Sequence, residues 1–352
     1  MPSIETVIRR FFGIDRMRMD AIGIEGRTAA GSHRLRILYA HQPCEFLSYF
    51  VNVAFGRKPR EQSLGSVRPW QAHLLARKHD YDLVLVYGWN APFVKKVFGD
   101  SYFIPQWISA KVTLEPEAVF KGNSPSRRRD IRRMGTNELS YRVTRDKADL
   151  EHFYNTMYLP AITAAHGSSA VLMPYRNVLD KAESGEAELV YISDAERPVA
   201  GSLIVYDDGQ PRLLSLGVLH ADRHYYRAGV GSAIYLFSFQ HLLDEGYETV
   251  DIGRTRPFLR DGTLYFKRRL GMTLTTGTEH GFFMKVLNNN PGVREFLCSS
   301  PFVYAEREQL RGVAFFQTDS EAEEAAALAV PGLSQFDTID IRGSERIGRL
   351  AS

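Results

Sequence analysis

Three strand patterns, Glu188 to Ser193, Val199 to Tyr206 and Leu213 to Leu219, follow one another with little between them. The segments Asp194-Ala-Glu-Arg-Pro198 and Asp207-Asp-Gly209 are rich in turn residues, so neighbouring strands are expected to pair antiparallel as a meander. After the third strand comes Tyr226-Arg-Ala-Gly-Val-Gly231, which leads into Ser232 to Leu243. That stretch is apolar nearly all round (Ile234, Leu236, Phe237, Phe239, Leu242, Leu243), the pattern of a buried helix. It stops at Asp244-Glu-Gly246, where Gly246 suits a C-terminal cap, and Thr249-Val-Asp-Ile252 begins another strand. No other part of the chain narrows the fold as much as this succession.

A strand, a glycine-containing turn and a helix N-terminus make an anion site. Backbone N–H groups of the first turn point outward, and the helix dipole adds roughly half a positive charge there. Gly229 and Gly231 let the backbone approach a pyrophosphate with no Cβ in the way. The segment is not a Rossmann fingerprint, because the third glycine is missing and the preceding strands read as antiparallel. It is not a Walker loop either, since no Gly-Lys-Ser/Thr follows.

Upstream, Leu139 to Val143 reads as a strand and Thr144 as the N-cap of a helix that puts Leu150, Phe153, Tyr154, Met157 and Tyr158 on one side. Pro160 is expected to bend it before Ala164-Ala-His-Gly167. Before that strand, Gly122-Asn-Ser-Pro-Ser126 signals a helix start, and Arg127-Arg-Arg-Asp-Ile-Arg-Arg133 holds five arginines in seven residues. They suit either a phosphorylated ligand, which guanidinium grips in a bidentate fork, or a solvated helix face. Nearer the start, a small α/β unit of about 90 residues is expected: strand Leu35 to Tyr39, helix Pro69 to His79, strand Asp82 to Tyr87, helix Ala91 to Phe98 ended by Gly99, and an extended Ser101 to Leu114. Ile22 to His33, with Gly23, Gly26 and Gly31, reads as a loop. Ser320 to Ala329 reads as a short Glu/Ala helix. Residues 4–14 place Ile4, Val7, Ile8, Phe11 and Phe12 at helical spacing opposite Arg9 and Arg10, a helix for an anionic lipid surface or for packing on its own protein.

The charge is uneven. Residues 1–150 carry 25 Lys/Arg against 15 Asp/Glu, a balance of +10, and residues 151–352 carry 19 against 26, a balance of −7. The basic part suits phosphates, acidic lipid or an acidic carrier protein, or is an ordinary uneven surface. No apolar run reaches the ~18–20 residues of a membrane span, and the start lacks a secretory pattern. Only Cys44 and Cys298 are present, which excludes a disulfide framework and a cysteine-built zinc site and fits a reducing, cytoplasmic compartment. The histidines form no metal-ligand spacing, so no metal is expected.

The meander, a Gly-x-Gly turn at Gly229 and Gly231, the helix, the strand and a short helix ending at Gly271 resemble GNAT-fold N-acyltransferases. Tyr226 stands where that family has Arg or Gln, with Arg227 adjacent. Asp251-Ile-Gly-Arg-Thr-Arg-Pro-Phe258, Arg260-Asp-Gly-Thr-Leu-Tyr-Phe-Lys267 and Leu270-Gly271 resemble the FemAB/FemX-like branch, as do the basic helix and the Tyr154 to Gly167 segment. The resemblance covers roughly residues 101–285. It implies an α/β (α+β) fold, a mixed and largely antiparallel sheet flanked by helices, with a degenerate N-terminal GNAT-like half. The domains expected are 1–33, an amphipathic helix and loop; 34–121, the degenerate unit; 122–290, the catalytic unit; and 291–352, a helical and extended tail.

The function this implies is N-acyl transfer from an acyl-thioester, acyl-CoA or the phosphopantetheine of an acyl carrier protein, to an amine of a sugar, amino acid or peptide-like metabolite. An aminoacyl-tRNA-dependent transferase and a non-catalytic binding protein on the same fold are the alternatives. The donor segment would be Leu219, Arg227, Ala228, Gly229, Val230, Gly231 and Ser232. A backbone N–H near the end of the strand Leu213 to Leu219 would polarise the carbonyl. Catalytic candidates are Asp251 as base, His166, His220 and Lys267. Asp251 also suits a structural role holding Arg254 or Arg256, and each histidine an ordinary surface role. Lys267 matches a lysine that the branch places near a phosphate-bearing group, or is a solvated lysine beside Arg268 and Arg269. Tyr158, Arg254, Arg256, Asp261 and Tyr265 are the candidates for holding the acceptor.

Overall fold

The computed structural model describes residues 18–41, 46–89, 98–117, 125–166, 172–306 and 308–343, with the backbone alone for Ser126, Ala165 and His166. The expected helix at residues 4–14, most of Ala91 to Phe98, and Gly122 to Ser124 lie outside the described residues.

In chain order the elements are β1 (Met19–Arg27), β2 (Arg34–His41), α1 (Phe46–Ala54), β3 (Arg60–Val67), α2 (Ala72–Lys78), β4 (Leu83–Trp89), β5 (Tyr102–Pro105) and β6 (Ile108–Thr113). Then come α3 (Pro125–Thr136), β7 (Leu139–Thr144), α4 (Lys147–Phe153), a π-helical turn at Tyr154–Tyr158, α5 (Leu159–His166), α6 (Tyr175–Glu183), β8 (Ala187–Asp194), β9 (Arg197–Asp207) and β10 (Gln210–Val218). They are followed by α7 (Arg223–Arg227), α8 (Val230–Asp244), β11 (Thr249–Thr255), α9 (Gly262–Arg269), β12 (Met272–Gly277), β13 (His280–Val286), α10 (Pro291–Ser299), β14 (Phe302–Glu306), β15 (Gln309–Phe316), α11 (Asp319–Ala326) and β16 (Gln335–Asp340). Among the described residues no helix is long and apolar enough to cross a membrane.

The chain divides into two compact units. The first comprises Met1–Ile108, Arg256–Leu264 and Thr275–Ser352, and the second Ser109–Thr255 and Tyr265–Leu274. The first is built on a six-stranded sheet in the order β3-β1-β2-β4-β13-β5, and it includes the three-stranded sheet β14-β15-β16. Tyr39, Phe46, Phe50, Phe282, Phe296 and Phe302 form its aromatic core. The second is built on a seven-stranded sheet, β12-β6-β11-β10-β9-β8-β7, in which β7 to β10 run antiparallel and β11 is parallel to β10. The same motif occurs in each unit: an antiparallel hairpin, intervening helix, and a strand parallel to the hairpin's second member. In the first unit these are β1–β2 and β4; in the second, β9–β10, α8 and β11. His41-Gln-Pro-Cys-Glu45, after β2, lacks the paired glycines found before α8.

Three expectations need correction, and the segment around Pro160 has a feature of its own. Residues 22–27, read as loop, complete β1. Gly23 and Gly26 serve packing there, since a Cβ at Gly23 would stand 1.8 Å from the Tyr81 hydroxyl oxygen and one at Gly26 2.9 Å from the Phe55 ring. The helix after β7 is capped by Asp146, whose carboxylate accepts from Ala148 and Asp149 N–H, while Thr144 Oγ1 accepts from Asp146 N–H. The helix runs on through Pro160 as α5. The proline lacks the N–H for an i→i−4 bond, and the chain widens just ahead of it into the π-turn, closed by Leu159 N–H on Tyr154 O. Finally, the link from β10 to the glycine turn contains a helix of its own, α7, capped by Asp222.

Candidate active site

In the second unit β10 and β11 share one ladder pair among the described residues, Arg212 with Asp251, near the start of each strand. A bulge between Leu213 and Ser215 interrupts the pairing of β10 with β9, and Gly253 takes φ +78° in β11. Beyond this point the two strands run on without a ladder between them, leaving strand-edge N–H and C=O groups for something other than a neighbouring strand.

The segment expected to hold the donor lies past the end of β10. Leu219 is buried at the start of a 3₁₀ turn, in which His220 and Ala221 both adopt left-handed angles (φ 53° and 54°). Two successive non-glycine residues in that region cost about 1 kcal/mol or more each, the sort of strain that surrounding structure holds at working sites. His220 is exposed. Arg227 ends α7, Ala228 follows, and Gly229 at φ +96° is the N-cap of α8. The Gly229 carbonyl accepts from Ser232 and Ala233 N–H at 3.1 and 3.0 Å. Val230 and Gly231 contribute first-turn N–H groups, which an α-helix leaves without intrahelical acceptors. A Cβ on Gly231 would meet only the Tyr226 ring, at 3.4 Å. The turn thus pairs a left-handed glycine N-cap with first-turn N–H groups that no side chain of Gly231 covers.

The arginine helix α3 braces this loop, which no sequence pattern announces. Asn137 Nδ2 donates to Ala228 O at 2.9 Å and to Arg133 O at 2.8 Å. Ser232 Oγ donates to Asp130 Oδ2 at 3.0 Å, and Arg269 pairs with the same carboxylate. A Cβ on Gly229 would lie 3.2 Å from Arg133 Cβ.

Asp251 is half-buried on the face of β11 opposite the buried Val250 and Ile252, as strand alternation requires, and its Oδ1 accepts Gly253 N–H at 2.6 Å. Lys267 is not the solvated residue that one reading allowed. It is 4% exposed, its Nζ donates to Arg254 O at 2.8 Å, and a Cβ on Gly253 would lie 3.7 Å from that Nζ and 3.8 Å from Leu213 O. Its ammonium thus stands where β10 and β11 part. The Arg254 side chain is exposed, and so is Tyr265. Tyr158 is buried in the π-turn, its hydroxyl accepting Met173 N–H at 3.1 Å. That turn lies directly on β10: a Cβ on Gly217 would fall 2.6 Å from Met157 C and 2.7 Å from Tyr158 N. His166 ends α5, and its side chain is outside the described residues.

Arg256 and Asp261 belong to the first unit. Arg256 stacks 3.5 Å from the Trp107 ring centroid, with Tyr49 at 4.9 Å, and Asp261 accepts from Tyr49 OH at 3.0 Å and from Thr263 and Leu264 N–H.

About 16 Å along α8 from its start, by the rise of an α-helix, His241 Nε2 pairs with buried Glu188, which also accepts from Tyr206 OH and pairs with Arg145. The Glu188 hydrogen bond lifts the His241 pKa against the effect of burial. Burial works against the Glu188 carboxylate, but the bonds from His241 and Tyr206 together hold its pKa below the ordinary value. The His241 contribution to stability is complete below its unfolded 6.5 and fades as pH rises through the raised value. The Glu188 contribution is complete above its unfolded 4.5 and fades as pH falls through the lowered value. Melting curves should therefore show the largest gap between the parent and Glu188→Gln between pH 4.5 and 6.5. A gap independent of pH would remove this pair from the ledger.

Residues 124–268 match the family model described as the acetyltransferase (GNAT) domain. This stretch of the chain is a GNAT domain, and the protein is an acyltransferase. A search of curated proteins finds no match. Among solved structures, FemX is similar over 72% of this chain and 81% of its own, at 11% identity and TM-score 0.37. L-PGS from Bacillus licheniformis is similar over 79% and 88%, at 13% and 0.36. A GCN5-related N-acetyltransferase from Sphaerobacter thermophilus is similar over 80% and 84%, at 16% and 0.35.

Proposed function

We propose that the protein moves an acyl group from a phosphopantetheine thioester, on coenzyme A or a carrier protein, to an amine of a sugar, amino acid or peptide-like metabolite. The observation that carries this is the parting of β10 and β11 beside the left-handed Gly229 cradle, within the matched GNAT residues. Val230 and Gly231 N–H would hold phosphate oxygens at the positive end of α8. The unpaired edges of β10 and β11 offer amide partners to the pantetheine arm, and an N–H at the end of β10, near Leu219, would polarise the thioester carbonyl. The amine nitrogen attacks that carbon, the C–N bond forms and the C–S bond breaks. The sulfur leaves as thiolate and ends as thiol, carrying the proton that the amine gives up. Asp251 is the residue proposed to relay that proton, Lys267 to stabilise negative charge at the strand fork, and exposed Arg254 to hold an anionic group of the acceptor.

Thiol release from acyl-CoA in the presence of amine panels tests the reading directly. Substituting Gly231→Val should leave the fold intact, because its Cβ meets the Tyr226 ring at ordinary contact distance. Affinity for acyl-CoA by calorimetry should fall about tenfold or more, since a branched side chain keeps phosphate from the N–H groups. Unchanged affinity would take this loop out of the donor site.

A further inference from the structure

Helix α3 has two faces. Arg127, Asp130, Ile131 and Met134 turn inward, while Arg129, Arg132 and Arg133 are exposed. Among the described residues none of these three exposed guanidinium groups has an ion pair or hydrogen bond. Arg129 and Arg133 are four apart, so their repulsion works against the helix. The one acid of α3, Asp130, does not relieve it, being engaged by Arg269 and Ser232. A row of like charges kept against local stability, and tied to the donor loop through Asn137, Arg133 and Gly229, calls for an anionic partner that arrives with the donor. Two more exposed arginines, Arg223 and Arg227, flank the loop on α7, beside the half-exposed ring of Tyr226.

We infer that this face docks an acidic acyl carrier protein, which delivers the acyl group on its own phosphopantetheine arm. The inference rests on the acyl-thioester reading above and narrows its donor. Coenzyme A brings a pyrophosphate and a 3′-phosphate, and the N–H cradle of α8 is suited to the former. A carrier-bound arm has a single phosphodiester, so most of the attraction must come from acidic side chains around it. Arg129, Arg132, Arg133, Arg223 and Arg227 make a small footprint, with the half-exposed Tyr226 ring on α7 beside the last two. That composition and size fit a transient protein contact, which is rich in Arg and Tyr and buries less than about 1,200 Å². A nucleic acid would engage a larger surface, on the order of 1,000–2,500 Å² of the protein.

The test is fluorescence anisotropy of dye-labelled bacterial holo acyl carrier protein at low salt, with circular dichroism to confirm that each variant is folded. The parent should bind, Arg129→Glu/Arg132→Glu should bind about tenfold or more weakly, and Arg129→Lys/Arg132→Lys should keep most of the affinity. Arg223→Glu/Arg227→Glu is the second probe of the same face, should the first variant not fold, and is also expected to weaken binding. Equal binding by the parent and the folded charge-reversed variants overturns the inference. So does a parent that ignores the carrier but forms a salt-sensitive complex with bulk tRNA. A parent that transfers acyl groups from coenzyme A without binding the carrier overturns the docking face and leaves the acyl-thioester reading standing. A parent that binds the carrier yet transfers from neither thioester does the reverse.

Discussion

Replacing Gly217 by alanine is expected to lower the melting temperature by roughly 2–12 °C, the range that 1–3 kcal/mol of overpacking produces in a unit of about 150 residues. The added Cβ would stand 2.6 Å from Met157 C, 2.7 Å from Tyr158 N and 2.8 Å from Met157 O. All three are backbone atoms, so no rotamer change can relieve the contact. Either β10 or the π-turn must move. Because Leu219 follows β10 directly, and the glycine turn comes after it through α7, donor binding should weaken together with stability. Gly135→Ala is the control: it sits in the last turn of α3 with nothing within 4 Å of its Cβ, and should melt at or slightly above the parent. If Gly217→Ala melts like the parent, the π-turn does not rest on β10 as described.

Lys267→Met should cost both turnover and stability. Methionine fills much the same space but leaves Arg254 O without its donor at a part-buried site, a loss of about 1 kcal/mol or more. Removing the ammonium from the strand fork should also lower kcat by about tenfold or more, equivalent to ~1.4 kcal/mol in the barrier. Arg254→Ala separates the two effects. Its side chain is exposed, so melting should hardly change, while KM for an anionic acceptor rises. Full activity in Lys267→Met would confine this lysine to scaffolding.

The meander and the helix after it were legible because β8, β9 and α8 are apolar over nearly their whole length and end at Asp, Glu and Gly turns. β3 was not. It is a polar edge strand, Arg-Glu-Gln-Ser-Leu-Gly-Ser-Val, whose pairing with β1 depends on backbone groups that carry no sequence signal. The cradle could be read because glycine alone tolerates the Gly229 conformation without cost. Its supports could not. Asp130 meets Ser232 across 102 positions and Arg269 across 139, and separation of that size leaves no spacing rule to apply. The burial of Lys267 was equally hidden, since Lys267-Arg-Arg269 reads as a solvated run until β11 is laid beside α9.

The placement of β13 has a consequence for synthesis on the ribosome. It lies between β4 and β5 in the first sheet, pairing antiparallel with both. β4 ends at Trp89, whereas β13 begins at His280. At bacterial elongation rates β4 and β5 therefore wait about 10–40 s for the strand that joins them. During that interval all of the second unit, which ends at Leu274, leaves the tunnel and can fold. The N-terminal sheet, though begun first, is finished after the seven-stranded one, and its open strand edges are what a nascent-chain chaperone would have to cover.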